Sequence, residues 1–461
     1  GNATDSFRAY KVVDAFYDSG TNQMSYKFTT EFAEFLKSSG DDNLTSLTID
    51  KYMSYGTDNQ YNVSSEFINL ADKFAKGIKN GNYSFKTYDL TYSDSSASAS
   101  VEVGSYLVLP TDINEYLLED HFKTINNYSV LIANVIFTVD SGSWVLNDCA
   151  VYSKETSNFL DTYFIKTDVA NFPNYDFSSD NIYNDLEFVK GEKYLFLVTA
   201  SEPRIEPNDP IWKLEINIPD GLTFGLDDVY YLDGEFLHIS DGKLVDSDGN
   251  IEGNIAVEGQ KITITSIHVT DLLSIAVEVT LAGDDKIVVG STGNVINTKL
   301  TYESDQYTDP ASVGYFELQN KAITYGLEIT NKNNNNTYLT DGVFGIYTDE
   351  ACTDANKIGE VTIDQGDDTK KYGRYIGLSS GTYYVKQLKA ASGYKLSNDV
   401  AKISIDSTVS NYFSLDVIND KMGLLPSTGG LGTIFYTLIG LIVIGIGSYA
   451  VVKYSKKQIN S

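Results

Sequence analysis

The sequence predicts a mainly β protein built from serial β-sandwich domains, with an N-terminal domain of α+β character and a C-terminal apolar helix. Three observations carry this. Apolar residues alternate with period two over much of residues 161–420, the pattern of strands buried on one face. Clusters of Pro, Gly, Asp and Asn break those runs at short spacing, as sandwiches require. One stretch of helical periodicity lies near the N-terminus, and a long uncharged run lies at the other end. A length of 461 residues allows about three domains, which we place at 1–160, 161–318 and 319–420, followed by a segment 421–461.

In the first domain, Phe67, Leu70, Ala71, Phe74 and Ile78 recur at helical spacing, after Ser64 and Ser65 as candidate caps and before Gly81 as a stop. Tyr106 to Leu109 and Val130 to Val139 read as strands, and Gly142 with Ser143 turns the chain into Trp144. In the second domain, Trp212, Leu214, Ile216 and Ile218 share one face. Ile262 and Ile264 do the same, as do Ile275, Val277, Val279 and Leu281. Pro219-Asp220-Gly221 and Asp246-Ser247-Asp248-Gly249-Asn250 are turn clusters. The second could invite calcium, but its spacing is not that of an EF-hand, so a hairpin turn is the reading taken. In the third domain, Leu327 and Ile329, Tyr383 and Val385, and Phe413, Leu415 and Val417 each mark one face of a strand.

The net charge is −29. Residues 421–461 hold four lysines and no acid; taking those lysines off leaves −33 on residues 1–420. Nucleic acid needs a basic footprint and is excluded as a partner. Two cysteines, Cys149 and Cys352, are too few and too far apart for a disulfide framework or a metal set. The histidines His121, His238 and His268 are scattered. No nucleophile, base and orienter fall together, so an enzyme is not expected, nor a cofactor or metal.

From Leu431 to Val452 there is no charge, and Lys453, Lys456 and Lys457 follow. As a helix, that run is about 33 Å long, enough for a bilayer core. The basic tail marks the cytoplasmic side, so residues 1–430 lie outside. Just before the run stands Leu425-Pro426-Ser427-Thr428-Gly429. This LPxTG pentapeptide, apolar span and basic tail resemble the sorting signal of Gram-positive wall-anchored proteins. The resemblance implies that a sortase cysteine attacks the Thr428 carbonyl and releases Gly429 onward, an acyl transfer with this chain as substrate. Gly1-Asn2-Ala3 shows no apolar export run, so an export signal is expected to have been removed.

The third domain resembles a Cna-B-type, Ig-like domain of Gram-positive pilins and surface adhesins. Thr324 to Thr330 looks like its first strand and Val343 to Tyr347 like the next. Gly381 to Tyr394, reading GTYYVKQLKAASGY, resembles its E-box. Such domains often carry a bond between a first-strand lysine and a last-strand asparagine, with a buried glutamate moving the protons. Here the lysine position holds Asn331 and the glutamate position holds Gln387; only Asn419 is kept. The resemblance implies three core amides in an inactive relic. Period two puts Lys332 on the other face; only a one-residue slip of the strand would bring it inward, and that slip would expose Leu327 and Ile329.

Residues 1–318 resemble the first two domains of backbone pilins. Phe7 to Val13 looks like the opening strand. Trp144 followed by Val151-Tyr152-Ser153-Lys154-Glu155 resembles the pilin motif, with serine for proline, glutamate for asparagine and one extra residue. The resemblance makes Lys154 the amine that accepts the next subunit's threonyl group, and its position at the end of the first domain fits that; the other reading is a solvated lysine at a strand end. Lys166 and Asn294 resemble a second crosslinking pair, although Ile216 stands where that family has an aspartate. Together these resemblances imply a pilus shaft subunit that supports surface adhesion. Its partners would be sortase, other pilin subunits in a covalent homopolymer, peptidoglycan and a host surface ligand. The alternative is a single wall-anchored adhesin, or a minor pilin, that binds a host or matrix ligand.

Overall fold

The computed structural model describes residues 5–459 except 39–52, 56–60, 153–154, 168–180, 202–210, 306–311, 424–430 and gaps of one to four residues elsewhere. The expectations for Ser64, Gly142, Lys154, His268 and Leu425 to Gly429 fall outside the described residues. Contacts divide the chain into two units, Gly1–Thr324 with Gly377–Ser379, and Tyr325–Ile376 with Ser380–Ser461.

The first unit opens with a sheet in which the strand Ser6–Asp18 is central, paired with Gly104–Asp112, Thr87–Ser93 and Gln23–Phe28. Alternation along that strand feeds two cores. Tyr10 and Val12 face the helices α1 (Thr30–Ser38) and α2 (Ser65–Lys79), where Phe28, Phe32, Phe35 and Phe74 interlock edge to face or tilted. Phe7 and Ala9 face the other way, onto Tyr106, Val108 and Tyr128. The stripe expected for α2 buries Leu70, Ala71 and Phe74, and Gly81, in a left-handed conformation, follows its last turn. Sequence reading did not anticipate α1; it starts where the Thr29 hydroxyl accepts from the Phe32 N–H at 3.3 Å.

Val130 to Val139, expected as one strand, is two. Leu131–Val135 extends the first sheet beside Gly104–Asp112, whereas Phe137–Asp140 pairs with Ser143–Leu146 in a separate hairpin. The stretch is mostly apolar, but its two halves hydrogen-bond to different partners, which periodicity does not register.

A further core within this unit is built on the strands that follow. The strand Glu155–Ile165 pairs first with Phe122–Tyr128 and then with Tyr194–Ser201. Trp212, Leu214, Ile216 and Ile218 are all buried, as are Ile262, Ile264, Ile275, Val277 and Val279. The Asp246 cluster is a hairpin turn. Its carboxylate accepts from the Asp248 and Asn250 backbone and from the Asn250 amide, joining Lys243–Val245 to Ile251–Glu258.

The second unit is a sandwich. One sheet orders Lys357–Thr362, Val343–Tyr347, Gly381–Lys389 and Val400–Ile405. The other places Tyr412–Asn419 parallel to the Gly326–Asn333 stretch of the strand Ser312–Asn333. Leu327, Ile329, Phe344, Ile346, Val385, Ile403 and Ile405 are buried. The helix α3 (Leu431–Ile459) contains the uncharged run. Among the described residues no helix is long and apolar enough to cross a membrane.

Candidate functional site

Asn331, Gln387 and Asn419 sit on three strands of the second unit, each at a position whose alternation points inward. All three are buried, at 0, 3 and 2% exposure. Gln387 and Asn419 exchange two hydrogen bonds: Gln387 Nε2 donates to Asn419 Oδ1 at 2.9 Å, and Asn419 Nδ2 to Gln387 Oε1 at 2.8 Å. The Ser397 N–H also donates to Gln387 Oε1, and Asn419 Nδ2 also donates to the Lys395 carbonyl. Asn331 lies apart from this exchange. Neither its oxygen nor its nitrogen has a hydrogen-bond partner among the described residues. The backbone at Gly342 passes so close that a Cβ there would lie 2.8 Å from Asn331 Nδ2.

Three amides supply neither a nucleophilic amine nor a group to move a proton. The adjacent Lys332 is directed to the opposite face. Its Nζ is 2.8 Å from Asp416 Oδ2 and lies over the Tyr338 ring. The hydrogen bond from Lys332 holds the Asp416 carboxyl below its ordinary range and raises the lysine. A charged amine so held is a poor nucleophile. On the same face, Glu328 is only 7% exposed and takes bonds from Lys370 and from Arg374, whose guanidinium stands over the rings of Tyr372 and Tyr412.

In the first unit, Lys166 is exposed, with its Nζ 4.7 Å from the Tyr183 ring centroid. Asn294 is buried and accepts from the Val288 N–H while donating to the Val288 and Ala322 carbonyls. It fills the space a side chain at Gly221 would need, so the glycine of the Pro219 turn allows this close approach. A buried polar group that the sequence reading missed is Asn320. It accepts from the Thr162 hydroxyl at 2.8 Å and donates to the Thr162 and Asn184 carbonyls. Its signal was the alternation Phe316, Leu318, Asn320, Ala322, in which the one polar member faces the core.

Around the remaining sequence candidates the structure gives the flanks. Lys154 immediately precedes the strand Glu155–Ile165. Val151 and Tyr152 before it are exposed, Tyr152 at 90%. The sorting pentapeptide lies between Gly423 and α3. The two cysteines are free, Cys149 exposed and Cys352 buried, and no group of metal-ligand type forms among the described residues. His121 Nδ1 lies 2.6 Å from an Asp161 oxygen.

Residues 326–421 match the SpaA prealbumin-like fold domain, and residues 418–459 match the LPXTG cell wall anchor motif. The second unit is a SpaA-type domain followed by a wall anchor. The anchor motif makes the chain a surface protein of the Gram-positive wall, and the SpaA domain contains the whole amide cluster. Among solved structures, a modular three-domain backbone pilin of Streptococcus pyogenes superposes with a TM-score of 0.56 at 16% identity, over 88% of this chain and 78% of that one. The two share a fold. The full-length major pilin SpaD of Corynebacterium diphtheriae gives a TM-score of 0.48 at 14% identity, over 91% of this chain and 90% of that one. No curated protein matches the chain.

Proposed function

We propose that this chain is a shaft subunit of a covalent pilus, joined from Thr428 of one copy to Lys154 of the next and finally to the wall. One observation carries the reading: an LPXTG anchor stands directly behind a SpaA-type domain, on a chain that shares the fold of a three-domain backbone pilin. The division into domains at 1–160, 161–318 and 319–420 belongs to the same proposal. Its support is that the apolar core drawn from residues 10–109 is separate from the one drawn from residues 160–322.

The chemistry is two acyl transfers. The sortase thiolate attacks the Thr428 carbonyl, the Thr428–Gly429 bond breaks, and the Gly429 amine leaves with a proton. The neutral Lys154 amine of another copy then attacks the thioester, forming an amide and releasing the thiol. Pro426 favours an extended backbone at Leu425, which a cleft can grip. By its sequence, the uncharged run Leu431 to Val452 would hold the chain at the membrane until transfer. The exposed Leu438, Ile439, Leu441, Val443 and Ile444 of α3 are spread all round its axis. Head-to-tail linkage of identical copies does not close and therefore gives a filament.

Replacing Leu425 to Gly429 tests the reading. The altered chain is expected to stay with the membrane and to be released by detergent. Wall attachment that survives the replacement would overturn sorting through Thr428. Wall attachment without high-mass ladders in the natural sequence would favour a single anchored adhesin.

A further inference from the structure

The first and last strands of the SpaA-type domain lie side by side. The Gly326–Asn333 stretch and Tyr412–Asn419 run parallel in one unbroken register, from Gly326 beside Tyr412 to Asn333 beside Asn419. The chain enters the domain at the Gly326 end and leaves toward Thr428 from the Asn419 end. A protein fixed through Thr428 and pulled from its N-terminal side is therefore loaded at opposite ends of one parallel pair. The pull runs along the two strands in opposite senses and shears them. The evenly spaced bonds of a parallel ladder share such a load, whereas peeling would break them one at a time. Side chains add ties between the same two segments: the Thr330 hydroxyl donates to Asp416 Oδ1, Lys332 Nζ donates to Asp416 Oδ2 at 2.8 Å, and Asn334 Nδ2 donates to Asp420 Oδ1 at 2.6 Å. Asn419 is also held to the facing sheet by Gln387.

We propose that this pair is a non-covalent force clamp and that the domain is an extensible link of the anchored chain, opening under sustained pull and refolding when the pull is released. A covalent bond from position 331 to Asn419 would carry the load from first strand to last and keep the chain between them from extending. Asn331 and Gln387 supply neither the amine nor the acid for that bond. What remains is a ladder of hydrogen bonds worth about 1 kcal/mol each, whose endurance under load is set by the unfolding rate. Opening frees roughly 90 residues, which at about 3.5 Å each lengthen the chain by about 30 nm. No bond is broken, so the step is repeatable. The inference goes beyond the proposed function and rests only on its attachment through Thr428, which the polymer and the single anchored protein share.

Single-molecule stretching tests it. The full chain, in detergent, is joined to an oligoglycine surface by a sortase acting at Thr428, held by a tag added at its N-terminus, and pulled at constant force. The expected result is a step of about 30 nm that returns in every cycle after relaxation. Asp416→Ala removes the acceptor shared by Thr330 and Lys332 and should shorten the lifetime before that step at least ten-fold. Val361 is buried in the strand Lys357–Thr362 of the other sheet, outside the load path. Val361→Ala should lower thermal stability at least as much as Asp416→Ala, yet shorten the lifetime under load less than three-fold. Absence of the 30 nm step while the rest of the chain extends would overturn the extensible link. A lifetime as sensitive to Val361→Ala as to Asp416→Ala would overturn the clamp and leave the wall attachment standing. A surface that captures no chain would overturn sorting through Thr428 and the load path with it.

Discussion

Gln387 and Asn419 hold each other through two reciprocal amide hydrogen bonds of 2.9 and 2.8 Å, both buried inside the SpaA-type domain. The exchange ties the strand Gly381–Lys389 of one sheet to Tyr412–Asn419 of the other. Truncating Gln387 would leave the Asn419 amide and the Ser397 N–H without their acceptor. A buried donor left unmet costs about 1–3 kcal/mol. Gln387→Ala is therefore expected to destabilise the domain by at least that amount, because packing is lost as well, and urea unfolding of the full chain would measure it.

Asn331 presents the opposite case. Its carboxamide is fully buried, and neither polar atom has a partner among the described residues. Burying such a group without hydrogen bonds costs about 1–3 kcal/mol by the measure of protein mutants. Leucine has a similar shape and no polar atom to satisfy. Asn331→Leu should therefore raise the stability of the domain by about 1–2 kcal/mol. A loss of stability would show that the amide is satisfied in solution.

The family's crosslink can be tested at the same three positions. Joining lysine to asparagine expels one ammonia, so a bonded domain is lighter by that mass. With Asn331 and Gln387 in place, the natural chain is expected to keep its uncorrected mass. Gln387→Glu alone should not change this, because the amine would still be missing. Asn331→Lys together with Gln387→Glu should restore the lysine, glutamate and asparagine set facing one core and lose one ammonia on intact-mass measurement. A lighter natural chain would show that another lysine, with Lys332 the nearest in sequence, has taken the role.

The opposite face of the same strand governs acid sensitivity. Burial works to raise the Glu328 pKa, but hydrogen bonds from Lys370 and Arg374 outweigh it and hold the carboxyl below its ordinary value. A carboxyl depressed in the folded state contributes stability that is fully present above its unfolded pKa of about 4.3. That contribution is lost as pH falls through the folded value. The domain should therefore weaken in acid below about pH 4.3. Glu328→Gln should cost about 1–2 kcal/mol at neutral pH, discounted because both cations are partly exposed. It should also flatten the acid limb of a stability profile. A profile unchanged by the substitution would remove Glu328 as the cause.

Much of this was legible because period two is local. Leu327, Ile329 and Asn331 fall on one face whatever the partner strand, and so do Tyr383, Val385 and Gln387. Sequence also separates Lys332 from its neighbour by one residue, hence by one face. What it does not contain is which strands meet. The unmet state of Asn331 depends on Gly342 approaching from another segment, and the Gln387–Asn419 exchange joins residues far apart in the chain. The Thr162–Asn320 contact spans still more. The division of Val130–Val139 failed for the same reason, since two partners divide one mostly apolar stretch.

On the proposed linkage, Lys154 separates a polymer from a lone anchored protein. It stands just before the strand Glu155–Ile165, which is paired along its length with Phe122–Tyr128 and Tyr194–Ser201. Tyr152, two residues before it, is exposed. Lys154→Ala removes the nucleophile and changes nothing in Leu425 to Gly429. Sortase can still form the acyl intermediate at Thr428, and the wall amine can still resolve it. The expected outcome is the loss of high-mass ladders on denaturing gels, with export and wall attachment of single copies intact. Lys154→Arg should fail equally, because guanidinium keeps its charge at any working pH and is not a nucleophile. Ladders unchanged in both variants would move the acceptor to another lysine, and single copies that fail to reach the wall would mean that the substitution had disturbed folding or export instead.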